Sequence, residues 1–364
     1  MENIVTVINR RSQRVADHKD LFDILEAKGA VKYLFGATPF SRIAIKNLKE
    51  EGIQLEGVID DFWSEGTFCG FKVFKLGDIT NKDALIIQAV GAKTKTVFNV
   101  LKKNGFEKIL DYHLLYLRDE ERYKLIHGGD HFVEDYEKNE HKYNEVYGKL
   151  EDDKSRLVFE NLLDLKLNLD MQNSIFGFSV NQQYWEDFVE IKQIKIFVDC
   201  GGFDGDSTIS FINRQPDYKK VYFFEPFIKC MELAKSNLKQ FPNIEYHNIA
   251  VSDQKSKIYF TEDLGVANHQ SNEGTLEVET DTLDNIIKEK IDYIKFDIEG
   301  DEYKAIEGAR LLICRYKPKI AVAVYHKVED LWQIPGLILS MNKDYKIYLR
   351  HYTEGLSESI MYFI

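Results

Sequence analysis

Cysteine and proline are scarce in this chain, four and six among 364 residues. Cys69, Cys200, Cys230 and Cys314 lie far apart with no C-x-x-C pair, a pattern that supports neither a disulfide framework nor a zinc site. It reads as a reducing, cytoplasmic compartment. No run of 18 apolar residues exists, which excludes a spanning helix. The opening MENIVTVINRRSQRV lacks the continuous apolar core of a signal peptide. Positive charge is also short: 48 lysines and arginines stand against 60 acidic residues, for a net charge of −12 and a pI of about 5.4. No basic block stands out, so the stripe that a nucleic-acid backbone requires is missing. There is no repeat of 20–50 residues.

What is present is a soluble globular composition, 44% hydrophobic and 13% aromatic, in a chain too long for one ordinary core. Residues 1–118 read as a Rossmann-like α/β unit. A polar helix at 16–28 leads into strands at 31–37, 55–61, 71–74, 84–90 and 108–114, with helices at 41–51 and about 94–105. Strands alternating with helices imply a parallel sheet. Residues 119–190 change character, with many charges, no proline and apolar Val158, Leu162, Leu165 and Leu169 at helical spacing. They predict a helical linker packed on the second unit. From 191 to 364 the alternation returns, with strands KIFVDC, KVYFFEP, IEYHNIAV, DYIKFDIEG and KIAVAVYH and helical segments between them. The closing runs KIYLRHY and SESIMYFI leave no room for a helix, so they must pair as an antiparallel hairpin at the sheet edge. Five parallel strands and such a hairpin make the seven-stranded methyltransferase sheet rather than an all-parallel dehydrogenase sheet.

The chemistry concentrates in VDCGGFDGDST, Val198 to Thr208, between a buried strand and a helix. Gly201, Gly202 and Gly205 allow a tight turn and close approach of a ligand. Asp206 and Ser207 stand where the next helix begins, suited to capping its free N–H groups. Twenty residues after Gly205 comes Glu225, followed by Pro226, where a carboxylate can accept both ribose hydroxyls of an adenosine ligand. Dinucleotides use the same geometry. The discriminator is Asp199, which would repel a pyrophosphate and attract the ammonium of a methionine moiety, directly or through water.

With NIAVSD, IKFDIEGDEYKAIEGA and VYHKVEDLWQIP, these segments resemble the FkbM family of methyltransferases over about Tyr184 to Ile364. The family pattern runs VDxGAxxGxxT, EP, NxAVxD, IKxDxEGxE with a following GA, and a tyrosine–histidine pair. Gly202 stands where the family usually has alanine, a departure expected to be harmless. The resemblance implies S-adenosyl-L-methionine as cofactor and O-methylation, commonly of sugar hydroxyls in bacterial glycan biosynthesis or on glycosylated metabolites. It implies that Asp199, Gly201, Gly202 and Gly205 form the methionine-side loop and that Glu225 holds the ribose. Asn248 and Ala250 would border the adenine, and Asp297 would lie near the sulfonium. Tyr184 and Trp185 either cover the cofactor or pack the linker.

A neutral sugar hydroxyl is a poor nucleophile and needs a base or a metal. His326, ending the fifth strand beside Tyr325, is the preferred base because a neutral imidazole can take a proton. Asp297 is the second catalytic candidate. Glu299 is the third, or else it caps the helix beginning at Asp301, with Gly300 making the turn. The oxygens of Asp297 and Glu299 could also hold a divalent metal, although no ligand pattern calls for one. His269, in the polar loop Asp263–Gly274, either touches the acceptor or is plain surface.

In the N-terminal unit, FGATPFS sits where a dinucleotide fingerprint would lie but keeps only Gly36. Thr38 and Pro39 would crowd a pyrophosphate; Asp60 or Asp61 would have to hold a ribose. Orienting the acceptor, or joining copies into a homo-oligomer, is the plainer role. Two other classes of function compete. An NAD(P)-dependent sugar-nucleotide oxidoreductase would use this unit, but no Y-x-x-x-K pair is present. A non-catalytic nucleotide-binding protein should have lost one of Asp199, Glu225 and Asp297. Without a proline-aromatic clamp after the fourth strand, amine methylation is disfavoured.

Overall fold

The computed structural model describes residues 8–123, 125, 131–260 and 276–364. The predicted helix at 16–28 is instead two, Arg11–Asp17 and Lys19–Glu26, broken at His18, whose ψ of 14° leaves the helical range. The first sheet contains β1 (Lys32–Phe35), β2 (Gly57–Ile59), β3 (Thr67–Phe68), β4 (Phe71–Phe74), β5 (Leu85–Gln88) and β6 (Ile109–Asp111). Its order is β3-β4-β2-β1-β5-β6, parallel except for the two-residue β3. β5 is buried on both faces, as the apolar run LIIQ requires of a central parallel strand.

Two helices follow, Phe132–Lys149 and Asp153–Asn168. The stretch from 169 to 195 has only short 3₁₀ turns, so the helical reading of 119–190 holds for its middle part alone. The second sheet then forms from β7 (Ile196–Cys200), β8 (Lys220–Phe224) and β9 (Ile244–His247). A break at Asn248 separates β9 from β10 (Ala250–Val251). Where a helix was expected next, β11 (Ser256–Phe260) and β12 (Leu276–Asp281) pair antiparallel, with Ile258 opposite Val278 and Lys257 paired to Glu277 at 2.6 Å. Their alternating pattern fits a strand with one wet face. β13 (Tyr293–Phe296), β14 (Lys319–Ala323), β15 (Ile347–His351) and β16 (Ser359–Phe363) complete the chain.

The large sheet has the order β15-β16-β14-β13-β7-β8-β9, with β16 antiparallel to both neighbours. This is the seven-stranded arrangement with a terminal hairpin. β7 is the switch point, since the chain leaves it toward β8 on one side and returns at β13 on the other. Ligands gather beyond the carboxyl ends at such a point. One buried apolar cluster runs from Phe22 and Leu34 through Phe159 and Leu162 to Met361 and Phe363, so both sheets and the linking helices share a core.

Candidate active site

A cavity of about 960 Å³ opens over the carboxyl ends of β7, β8 and β13. Gly201, at the end of β7, has φ +79°, and a side chain there would meet the Asp297 carbonyl oxygen at 1.8 Å. Gly205 has φ +91° and starts the helix Asp206–Arg214. Asp206 and Ser207 line the cavity from that helix. Gly202 and Gly205 shape the loop from behind. An alanine Cβ at 202 would stand 2.2 Å from the Phe223 ring, so the departure expected to be harmless is tied to a bulky neighbour.

Asp199 does not have the placement expected for it. It is fully buried beneath the loop, taking hydrogen bonds from the Ser207 and Thr208 hydroxyls at 2.6 and 2.7 Å and an ion pair from Lys295 at 3.1 Å. Lys295 also donates to the Gly201 carbonyl at 2.8 Å. Burial would lower the lysine's pKa, but Asp199 and Asp297 outweigh it and hold the ammonium above its ordinary value. The pair braces the loop; the lysine, not the aspartate, reaches the cavity wall.

Glu225 and Pro226 face the cavity as expected. The Glu225 carboxylate accepts the Phe203 and Phe227 backbone N–H groups at 3.0 and 2.9 Å. Burial pushes its pKa up to about 7 against those two donors. Asn248 lies outside the cavity wall and donates to the Glu225 and Pro226 carbonyls at 2.8 and 2.9 Å, so it ties the two strand ends together. Ala250, Tyr184 and Trp185 do line the wall. The wall begins at Val180, inside the segment read as linker.

Beyond β13 lies a cluster of acids. Asp297 accepts the Tyr184 hydroxyl at 2.5 Å and the Tyr325 hydroxyl at 3.2 Å. Glu299 has φ +62°, leaves its side chain 45% exposed and faces the cavity. It does not cap the next helix. The N-cap position of that helix is Asp301, which makes no side-chain cap bond, and Glu302 reaches back across the turn to accept the Ile298 N–H at 2.9 Å. Burial pushes Glu299 up to about 7, with the nearby His326 opposing.

His326 does not meet the requirement for a neutral base. Its ring is 4% exposed, behind the cavity wall, with Nδ1 2.9 Å from Glu302 and Nε2 3.6 and 3.7 Å from Asp297 and Glu299. Burial alone would lower its pKa; the Glu302, Asp297 and Glu299 carboxylates prevail and push it up to about 10. At neutral pH it is an imidazolium that binds the turn after β13 to the end of β14. Among the described residues, Asp297, Glu302 and His326 bring one ligand atom each within 4.8 Å of one another, close enough to share a cation.

Gln183, Lys295, Glu302 and Glu358 escaped the sequence reading. Lysine inside the apolar strand YIKF and the last acid of DIEGDE were visible signals. Nothing local marked Gln183 or Glu358. His269 lies outside the described residues.

In the N-terminal unit the would-be nucleotide loop is filled by its own side chains. Thr38 and Ser41 form a reciprocal cap at the helix Pro39–Glu50. Asp60 accepts the N–H groups of Ala37, Phe62 and Trp63, each at 2.8 Å, and Asp61 accepts that of Leu76. Neither carboxylate is arranged to hold a ribose.

A seven-stranded sheet with an antiparallel terminal hairpin and a glycine-turn cavity at its switch point is the class I methyltransferase fold. Residues 199–352 match the methyltransferase FkbM domain, and that match makes the chain an S-adenosylmethionine-dependent methyltransferase. The crystal structure of the methyltransferase FkbM from Methylobacillus flagellatus is similar over 97% of this chain and 99% of that one, at 18% identity and a TM-score of 0.72. An rRNA methylase from Streptococcus thermophilus is similar over 49% of this chain and 90% of that one, at 16% identity and a TM-score of 0.34. No curated protein matches the sequence. Among the described residues, no helix is long and apolar enough to cross a membrane.

Proposed function

We propose that the enzyme methylates a hydroxyl of a sugar in a bacterial glycan, glycoconjugate or glycosylated metabolite. The observation that carries this reading is the division of one cavity between two strand ends. Glu225 follows β8 and Asp297 follows β13, with β7 between them, so their backbones stand roughly 10 Å apart at ordinary strand spacing and both side chains line the one cavity. The volume suits a nucleoside-sized ligand together with part of an acceptor.

S-adenosylmethionine supplies an electrophilic methyl group on a sulfonium. Glu225 is suited to accept its ribose hydroxyls, with Pro226 and Ala250 beside the adenine. Gly201, Asp206 and Ser207 frame the methionine end, with Tyr184 and Trp185 as cover. At the other end Asp297, Glu299 and Glu358 present carboxyl oxygens. These attract the hydroxyl donors of a neutral polyol and repel an anionic acceptor.

Calorimetry tests the cofactor half directly. S-adenosylhomocysteine should bind at micromolar levels and NADH should not. Glu225→Ala should lose roughly 10- to 100-fold in affinity, the worth of hydrogen bonds to a charged group. Tight NADH binding with no response to S-adenosylhomocysteine would overturn the reading.

A further inference from the structure

With His326 held as an imidazolium behind the wall, the acceptor's proton needs another destination. We propose that Glu358 takes it, an assignment that rests on the O-methylation reading above.

Glu358 occupies the turn between β15 and β16, immediately before Ser359, and its side chain lines the cavity. Its φ of +67° is a left-handed conformation that a non-glycine residue adopts at some cost. Such positions persist where surrounding contacts fix them, and they cluster at functional sites. Here the fixing contacts form a closed ring. The Gln183 side-chain amide donates to Glu358 Oε2 at 2.5 Å and to the Tyr184 hydroxyl at 2.9 Å. Tyr184 in turn donates to Asp297 Oδ2. On the other side the Tyr325 hydroxyl lies 3.2 Å from Asp297 Oδ1 and 3.5 Å from Glu358 Oε1.

Proton counting separates the two carboxyls. Tyr184 spends its only hydroxyl proton on Asp297. Tyr325 has one proton for two carboxyl oxygens, and it lies nearer Asp297. Asp297 thus has a donor at each oxygen, whereas among the described residues Glu358 Oε1 has at most a shared one. Once protonated, Glu358 can donate back to the Tyr325 oxygen, so the ring accommodates both of its states. Among the described residues Glu299 has no comparable set of fixed partners, and its side chain is 45% exposed.

The groups facing Glu358 are Asp297 and Glu299 after β13, Tyr325 and His326 after β14, and Gln183 and Tyr184. Burial and the Asp297 charge push it up to about 7, against the Gln183 hydrogen bond and the His326 cation. A base poised near working pH is the effective kind. As the acceptor oxygen bonds to the methyl carbon, that carbon's bond to sulfur breaks and its electron pair stays on sulfur. The hydroxyl proton passes to the Glu358 carboxylate, which releases it to water after the product leaves.

Glu358→Gln keeps the shape and removes the base. Infrared titration of the whole protein should show a carboxyl group ionising near pH 7 in wild type that vanishes in this variant. S-adenosylhomocysteine affinity should stay within about threefold by calorimetry. With an acceptor identified from a glycan panel, kcat should fall about 100- to 10,000-fold, and wild-type kcat should rise with pH through about 7. An unchanged infrared titration would overturn the assignment. So would a Glu358→Gln enzyme working within threefold of wild type while Glu299→Gln is inactive. Failure of wild type to bind S-adenosylhomocysteine would instead sink the methyl-transfer reading, and the infrared result stands apart from it.

Discussion

Gly202 and Phe223 form a pair that only their contact explains. The ring fills the volume that an alanine methyl would take, with three of its carbons within 2.8 Å of the position a Cβ would occupy. Gly202→Ala must therefore push a buried ring off its rotamer or lift the cofactor loop, at about 1–3 kcal/mol. Urea denaturation should show the loss, and Phe223→Leu in the same chain should recover part of it. An unchanged midpoint in Gly202→Ala would mean that the ring steps aside freely. The same limit governs what single residues revealed beforehand. VDCGGFDGDST announces the turn, because glycines at that spacing have few other uses. It does not announce that Asp199 is neutralised by Lys295, since the partner lies 96 residues away. The surroundings of His326 were hidden for the same reason. Three carboxylates around one ring reverse its protonation, and only the fold brings all three within 4 Å.

Strands were more legible than helices because their apolar runs are local signals, while helix ends and irregular stretches depend on distant partners. The β11–β12 ribbon was missed because its strands are short and half wet, and alternation over five residues is a weak pattern. Asp152 shows an element end set by tertiary contact. Its side chain caps the helix Asp153–Asn168 by accepting the Ser155 N–H at 2.7 Å, and it pairs with Arg350 on β15 at 2.7 Å. Burial would raise its pKa, but Arg350 and Ser155 together pull it to about 2. Its contribution to stability is thus present above the ordinary value of 3.8 and is lost as pH falls through about 2. Asp152→Ala should cost about 1–2 kcal/mol at pH 7 from the cap alone, with the difference from wild type shrinking toward pH 2. A constant difference across that range, by thermal denaturation, would show that the carboxylate's charge contributes nothing.

At the scale of the whole molecule, the N-terminal unit touches two segments that lead into the active site, the stretch before Val180, where Lys95 donates to the Ser174 and Phe176 carbonyls at 3.1 and 2.7 Å, and the turn before Ser359. Residues 352–358 join β15 to β16 and bear on the first sheet's neighbour, the helix Thr94–Lys103. Glu354 is buried and caps that helix, accepting the Thr96 N–H at 2.7 Å and its hydroxyl at 2.6 Å, while the Glu354 N–H donates to the Ala92 carbonyl at 3.0 Å. Gly355 packs directly on Gly91, and a Cβ there would stand 1.9 Å from the Gly91 carbonyl oxygen. Three residues on, the same turn delivers Glu358 to the cavity. Among the described residues, none before Val180 lines the cavity wall. On the reading proposed above, the first unit is expected to act on the acceptor end by holding this turn. Gly355→Ala should displace the turn and lower kcat by about 10- to 100-fold, the scale of an ångström's misplacement. S-adenosylhomocysteine affinity should change less than threefold. Glu354→Gln, which keeps the shape but weakens the cap, should show the same split in milder form if the alanine variant folds poorly. Steady-state kinetics beside calorimetry decides the matter. Equal losses in kcat and cofactor affinity would mean that the contact supports the fold as a whole, whereas a loss confined to kcat ties the first unit to the placement of Glu358.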